Sequence, residues 1–181
     1  MPSSTTSVKP PWRTISAPIV EETAKATALY LNSGLAKVEA LKAGYEEAIL
    51  LNGQGFVAEG SAENIFAVMD GVLITPPSSA GALEGITRNS IITIARDLGY
   101  EVETRALELR DLEAADEAFF TGTAVEVTPI SEVDGAAVGG GQRGPITERI
   151  QRAFFDATAG RDPRYRHWLS LVAPQPVASG V

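Results

Sequence analysis

The stretch from Glu47 to Thr75 constrains the fold most. It holds four short apolar runs: Glu47-Ala-Ile-Leu-Leu51, Phe56-Val-Ala-Glu-Gly60, Asn64-Ile-Phe-Ala-Val-Met69 and Val72-Leu-Ile-Thr75. Asn52-Gly-Gln-Gly55 and Asp70-Gly71 separate members of this series. These are residue types that reach the backbone conformations of tight hairpin turns. Runs this short, bounded by such turns, read as β-strands. Such a block needs a sheet, and the flanking segments must cover it.

The flanks supply helices. From about Glu21 to Ala43 apolar residues recur at Ala24, Ala28, Leu31, Leu35, Val38 and Leu41, and Gly44 takes the C′ position. Gly85-Ile-Thr-Arg88 opens a second helix with Thr87 as the N-cap candidate. Ile91, Ile92, Ile94, Ala95 and Leu98 form its apolar stripe, and Gly99 stops it. Tyr100 to Leu107 alternates as a strand, and a short helix runs from about Glu108 to Ala115. Glu117-Ala-Phe-Phe120 is a buried strand leading into Thr121-Gly-Thr-Ala124, and Val125 to Val133 is extended. Ile146 to Thr158 is a helix behind Pro145 at N1. Residues 1–18, with Pro2, Pro10, Pro11 and Pro18, read as an extended leader outside any folded element. Tyr165, Trp168 and Leu171 pack the tail on the body, ahead of a flexible end at 173–181. The expectation is one mixed α/β domain over residues 19–172.

Composition removes several functions. The 181 residues are 44% hydrophobic, enough for one substantial core. The net charge is −8 with no basic stripe, which argues against nucleic acid and anionic membranes as partners. Cysteine is absent and His167 is the single histidine. Disulfides, thiolate metal sites and multi-histidine metal centres are therefore excluded, and a Ser-His-Asp triad is disfavoured. No stretch is long enough to span a bilayer as a helix, and the N-terminus has no apolar core of a signal peptide. A soluble, cytoplasmic protein is expected.

Three groups of residues could carry chemistry. Among the lysines Lys9, Lys25, Lys37 and Lys42, only Lys25 stands among small neighbours, Ala24, Ala26, Thr27 and Ala28. Room beside a desolvated amine is what a Schiff-base lysine needs, although a helical lysine is ordinarily a surface charge. Lys37 and Lys42 read as solvated side chains. Gly85-Ile86-Thr87 and Thr121-Gly122-Thr123-Ala124 both offer backbone N–H groups and hydroxyls to an anion. Taken alone, each is more often an ordinary helix cap or loop. Glu59, at a strand end, is either a solvated carboxylate or a partner for the protonated nitrogen of a cofactor.

Taken in order, these pieces resemble a known family. Lys25 with Tyr30, Phe56-Val-Ala-Glu-Gly-Ser-Ala-Glu-Asn-Ile-Phe66, Leu83-Glu-Gly-Ile-Thr-Arg88 and Thr121-Gly-Thr-Ala-Val-Glu-Val-Thr-Pro129 look like the motifs of class IV (fold-type IV) aminotransferases, most closely the branched-chain amino acid group. The likeness runs from about Trp12 to Val172. It implies the large domain of the D-amino acid aminotransferase-like fold, a mixed sheet curling into a partial barrel with flanking helices. It implies pyridoxal 5′-phosphate (PLP) as cofactor and a branched-chain amino acid with 2-oxoglutarate as substrates.

The resemblance also implies roles. Lys25 would join covalently to the cofactor and move the substrate proton. Tyr30 would donate to the cofactor's ring hydroxyl, and Glu59 would pair with the pyridine nitrogen. Leu83 would pack on the ring. Ile86, Thr87 and Thr123 would hold the phosphate, and Ala124 the substrate carboxylate. No metal is implied. Ala28 and Ala62 stand where the family usually has glycine. The family also has a smaller N-terminal domain that supplies an arginine to the phosphate and walls to the pocket. The expectation is a large domain alone, with weak PLP binding and poor turnover, that self-associates or meets a separate N-terminal domain. The alternatives are a non-catalytic remnant that binds PLP or a partner, and another class IV activity such as aminodeoxychorismate lyase or D-amino acid transaminase.

Overall fold

The computed structural model describes residues 6–13 and 29–170. The elements are β1 (Thr6–Arg13), α1 (Leu29–Lys42), β2 (Glu47–Leu51), β3 (Val57–Gly60), β4 (Asn64–Met69), β5 (Val72–Thr75), α2 (Ile86–Asp97), β6 (Val102–Thr104), α3 (Leu109–Glu113), β7 (Glu117–Gly122), β8 (Glu126–Val133), β9 (Ala136–Ala137) and α4 (Pro145–Thr158). The strands form one mixed sheet in the order β3-β2-β1-β8-β7-β4-β5-β6, with β9 paired to β8. β1 runs parallel to both of its neighbours, and β5 runs parallel to β6. The β2–β3, β4–β5, β4–β7 and β7–β8 pairs are antiparallel.

Both faces of the sheet are covered, which is why its strands read as near-continuous apolar runs. On one face Phe66, Val68, Leu73, Phe119 and Val127 pack under Ile91 and Ala95 of α2 and Ile150 of α4. The rings of Phe66 and Phe119 stack at 5.1 Å between centroids. On the other face Ile49, Val57, Ile65, Ile74, Phe120 and Ile130 share a second core with Leu107 and Leu112. Residues of β3, at one end of the strand order, and of β5, near the other, join this one cluster, so the sheet curls around it. Val57 N–H donates to the Leu107 carbonyl at 2.8 Å, bridging from β3 to the segment after β6.

Three sequence expectations need correction. Thr6–Arg13 is not an extended leader outside the fold but strand β1, seated between β2 and β8. Its prolines are accommodated by a shift of register between Lys9 and Trp12, because proline cannot donate to a ladder. Helix α1 turns its small residues inward. Ala36 and Ala40 are buried against Ala48 and Leu50, while Leu31, Leu35, Val38 and Leu41 are exposed. Large apolar residues at helical spacing marked a stripe, but close approach to β2 selects the alanine stripe beside it. Thr87 is not the N-cap of α2; that position is Gly85, and Thr87 lies in the first turn.

Other features follow the sequence directly. α1 ends in a Schellman motif, with Tyr45 N–H donating to the Ala40 carbonyl and Gly44 at φ 89°. Asp70 and Gly71 both take positive φ in the β4–β5 turn. Tyr165 is buried and donates to Asp97 at 2.8 Å, fastening the tail to α2. Leu171 and the 173–181 end lie outside the described residues. Among the described residues, no helix is long and apolar enough to cross a membrane.

Candidate cofactor site

The site starts where β3 gives way to β4. Gly60 N–H donates to the Glu63 carbonyl at 2.6 Å, closing the turn that places Glu59 and Asn64 side by side. Asn64 is buried and donates through Nδ2 to the Leu83 carbonyl at 2.7 Å. Leu83 N–H in turn donates to Glu59 Oε2 at 2.9 Å, and Asn64 Nδ2 lies 3.5 Å from the same oxygen. Glu59, Asn64 and the Leu83 peptide therefore form a closed polar ring that fixes the orientation of the Glu59 carboxylate.

Three residues beyond Leu83 the chain enters α2. Gly85, the N-cap, is extended (φ −63°, ψ 140°) and has no side chain with which to cap the helix. A Cβ at Gly85 would lie 2.1 Å from Asn64 Oδ1, so only glycine lets the backbone approach the asparagine this closely. The first turn of α2 contains no acidic residue. Its leading N–H groups have no intrahelical acceptor and carry the positive end of the helix dipole. Ile86 is 87% exposed and Thr87 is half-buried.

Arg88 anchors this helix start. It is buried and donates to Thr75 Oγ1 at 3.3 Å and to the Pro76 carbonyl at 3.1 Å. Burial pulls its guanidinium below the ordinary arginine value, and Glu84 opposes that shift. Thr75 Oγ1 donates onward to the Ile65 carbonyl at 2.9 Å, so α2 is wired through β5 into β4.

The third wall is the β7–β8 turn. Thr121 lies opposite Asn64 in the β4–β7 ladder. Its Oγ1 is buried without a hydrogen-bond partner. Thr123 and Ala124 are exposed. Gly122 sits against the 61–63 turn: a Cβ there would lie 3.6 Å from Glu63 Cγ and 3.7 Å from the Ala62 carbonyl oxygen.

The structure thus gathers Glu59, Leu83, Ile86 and Thr87 around Asn64, with Thr123 and Ala124 on the adjoining strand end. Tyr30 begins the described part of the α1 surface, 42% exposed. Lys25 lies outside the described residues, as does Ala28. Lys37 is not simply solvated: its Nζ lies 2.6 Å from Glu47 Oε2 and also meets the Glu46 carbonyl. Sequence reasoning assigned no role to Asn64, Glu63 or Arg88. A polar residue at the head of an apolar strand, as in Asn64-Ile-Phe66, was the available signal for Asn64. Among the described residues, no group of three His, Cys, Asp or Glu side chains is placed to hold a metal ion.

Residues 2–133 match the amino-transferase class IV family, and the chain belongs to that family. It is 52% identical over 149 residues to the probable branched-chain-amino-acid aminotransferase of Aquifex aeolicus, covering 82% of this chain and 48% of the relative. It superposes on the branched-chain aminotransferase from Thermoproteus uzoniensis, solved with norvaline, with a TM-score of 0.88 and 47% identity, covering 93% of this chain and 56% of that one. The branched-chain amino acid aminotransferase from Thermobaculum terrenum, solved in its PLP form, gives a TM-score of 0.88 and 42% identity, covering 92% and 55%. The chain thus spans about half the length of these relatives.

Proposed function

We propose that this chain carries the PLP-binding part of a cytoplasmic aminotransferase that moves the amino group between branched-chain L-amino acids and 2-oxoglutarate. The observation that carries the reading is the Glu59–Leu83–Asn64 ring set beside a helix N-terminus whose cap is a glycine. The described residues fit a phosphorylated, cationic heterocycle. The first turn of α2 lacks acids, and Gly85 at its N-cap leaves no Cβ in the cradle. Thr121 Oγ1 is buried and unpartnered, and Thr121 stands opposite Asn64 in the β4–β7 ladder.

In this reading the N–H groups of Ile86 and Thr87, with the hydroxyls of Thr87 and Thr123, bind the phosphate dianion. The oriented Glu59 carboxylate favours a protonated ring nitrogen, because an opposite charge nearby stabilises the cation. Leu83 packs on the ring face, and Tyr30 donates to the ring hydroxyl. The bound group supplies an electron-withdrawing ring that stabilises negative charge beside the amino carbon. Lys25 holds the group and moves the proton at the substrate Cα. The Ala124 N–H binds the substrate carboxylate.

Exposure of Ile86, Thr123 and Ala124 supports a site that needs a further wall to exclude water, so turnover by these residues alone is low. The exposed leucines of α1 support self-association or contact with a separate N-terminal domain.

Borohydride reduction with PLP followed by peptide mapping tests the reading. Labelling at Lys25 is expected, and labelling at Lys37 or Lys42 instead overturns it. A coupled assay with leucine and 2-oxoglutarate at saturating PLP, with and without an N-terminal domain in trans, tests the substrates. Absence of leucine turnover in both arms overturns the branched-chain assignment.

A further inference from the structure

Glu63 occupies the space between the two strand ends that carry the site. It is 8% exposed, and its Oε2 accepts from Ala62 N–H at 3.0 Å. A Cβ on Gly60 would fall 2.9 Å from this same oxygen. One on Gly122 would fall 3.6 Å from Glu63 Cγ. The side chain is thus packed between the end of β3, which bears Glu59, and the end of β7, which leads to Thr123 and Ala124. The same carboxyl is in side-chain hydrogen-bond contact with Glu47, which is 3% exposed. Glu47 Oε1 accepts from Ala48 N–H at 2.7 Å, and its Oε2 meets Lys37 Nζ at 2.6 Å. A chain of contacts therefore runs from α1 through β2 to the 61–63 turn and on to β7. Two buried carboxyl groups in contact need one shared proton, because two carboxylates at that range repel each other.

We propose that Glu63 is a positioning residue for the cofactor site: its protonated carboxyl, hydrogen-bonded to Glu47, braces Gly60 against Gly122, and its ionisation loosens the turn that sets Glu59 and the 123–124 backbone. The inference rests on the reading of this site as a PLP cradle. Loss of the proton to solvent leaves two carboxylates facing each other with one lysine beside them. The Glu63 carboxyl is raised from 4.5 to about 7, chiefly by burial and then by Glu47 on β2, against the opposing pull of the Ala62 N–H and of Lys37 on α1. Among the described residues, Glu47 and Lys37 are the charged groups that act on it, and Gly122 of β7 packs beside its stem. The bracing is complete below about 7 and is lost as the pH climbs through that value.

The test is a pH titration of the whole chain followed by amide NMR, with no cofactor present. The Gly60, Gly122 and Ala124 amides are expected to shift together with a midpoint near 7, and Glu63→Gln, which keeps a donor toward Glu47 but cannot ionise, is expected to abolish the step. A second arm measures PLP affinity by fluorescence. Wild type should weaken about fivefold across the step, a modest hydrogen bond's worth, and the Gln variant should not. A common midpoint at the ordinary glutamate value, or a step that survives in Glu63→Gln, overturns the proposal. If the variant fails to fold, the wild-type amide titration alone decides. Absence of PLP binding at any pH with the amide step intact sinks the cofactor reading while leaving the brace in place.

Discussion

Glu117 offers the sharpest test of how the fold holds its helices. It opens β7 and is 7% exposed. Its carboxylate accepts from Ile146 N–H at 2.9 Å and from Thr147 N–H at 2.7 Å. These N–H groups have no intrahelical acceptor, so one side chain from the sheet caps α4. Gly144 at the N-cap makes room for it: a Cβ there would lie 2.1 Å from Glu117 Cδ. In Glu117→Gln one acceptor oxygen survives, the charge disappears, and an amide NH2 faces a helix N–H. Losing one charge-assisted bond, worth about 1.5–3 kcal/mol, together with the favourable dipole interaction, puts the cost at about 2–4 kcal/mol. For a chain of this size that lowers Tm by roughly 4–16 °C. Urea unfolding followed by far-UV circular dichroism measures the cost, with Glu117→Ala as companion, which strands both buried donors and should lose more. Both variants within about 0.5 kcal/mol of wild type would refute the cap as an energetic element.

Three further outcomes are expected. Asn64→Asp cannot donate to the Leu83 carbonyl and adds a negative charge beside Glu59 and below α2; affinity for PLP or inorganic phosphate, measured by calorimetry, should fall about tenfold or more, and unchanged binding would contradict the anion site. The folded state holds the Glu63 proton up to about 7, whereas the unfolded chain gives it up near 4.5, so stability should decline as pH rises between these values. The drop is on the order of 3 kcal/mol in urea midpoints converted to free energy, and a flat profile would count against it. On α1, Ala36→Leu overpacks the contact with β2 and should cost about 1–3 kcal/mol, whereas Leu35→Lys on the exposed face should stay within about 0.5 kcal/mol; thermal unfolding showing the reverse order would contradict the inward alanine face.

The sequence made local rules legible and left tertiary choices open. Strands β2, β4 and β5 follow from short apolar runs between turn residues, and Gly44 and Gly99 mark helix ends. What escaped had competing signals. In α1 the leucines advertise an apolar stripe, yet the alanine stripe is buried because β2 comes close. The prolines of residues 6–13 argue against a central strand, but a register shift absorbs them. Thr87 looks like a cap by residue type. Gly85 holds that position because Asn64, twenty-one residues earlier, occupies the volume where a side chain would go. Glu59 and Leu83 were linked in sequence only through the family resemblance. Their hydrogen bond depends on a loop path that no local pattern encodes. Glu63 and Glu47 drew no reading of their own, because nothing local reveals that the fold buries both.

Helices α2 and α4, which pack on the same face of the sheet, begin alike and differ in one respect that bears on function. Both have a glycine N-cap in extended conformation with no side-chain cap of its own, Gly85 for α2 and Gly144 for α4. Both glycines are required because a polar side chain from a strand fills the place of a Cβ: Asn64 from β4 in one case, Glu117 from β7 in the other. Under α4 that side chain is a carboxylate, which accepts from the leading N–H groups and balances the positive end of the dipole from within. Under α2 it is an amide whose nitrogen is turned to the Leu83 carbonyl, and the first turn contains no acid. A neutral amide adds no charge of its own at the positive end of α2. The same architecture thus makes α4 a closed structural joint and equips α2 to receive an anion from solution. Exchanging the two chemistries, carboxylate for amide under α2, therefore tests function, whereas amide for carboxylate under α4 tests only stability.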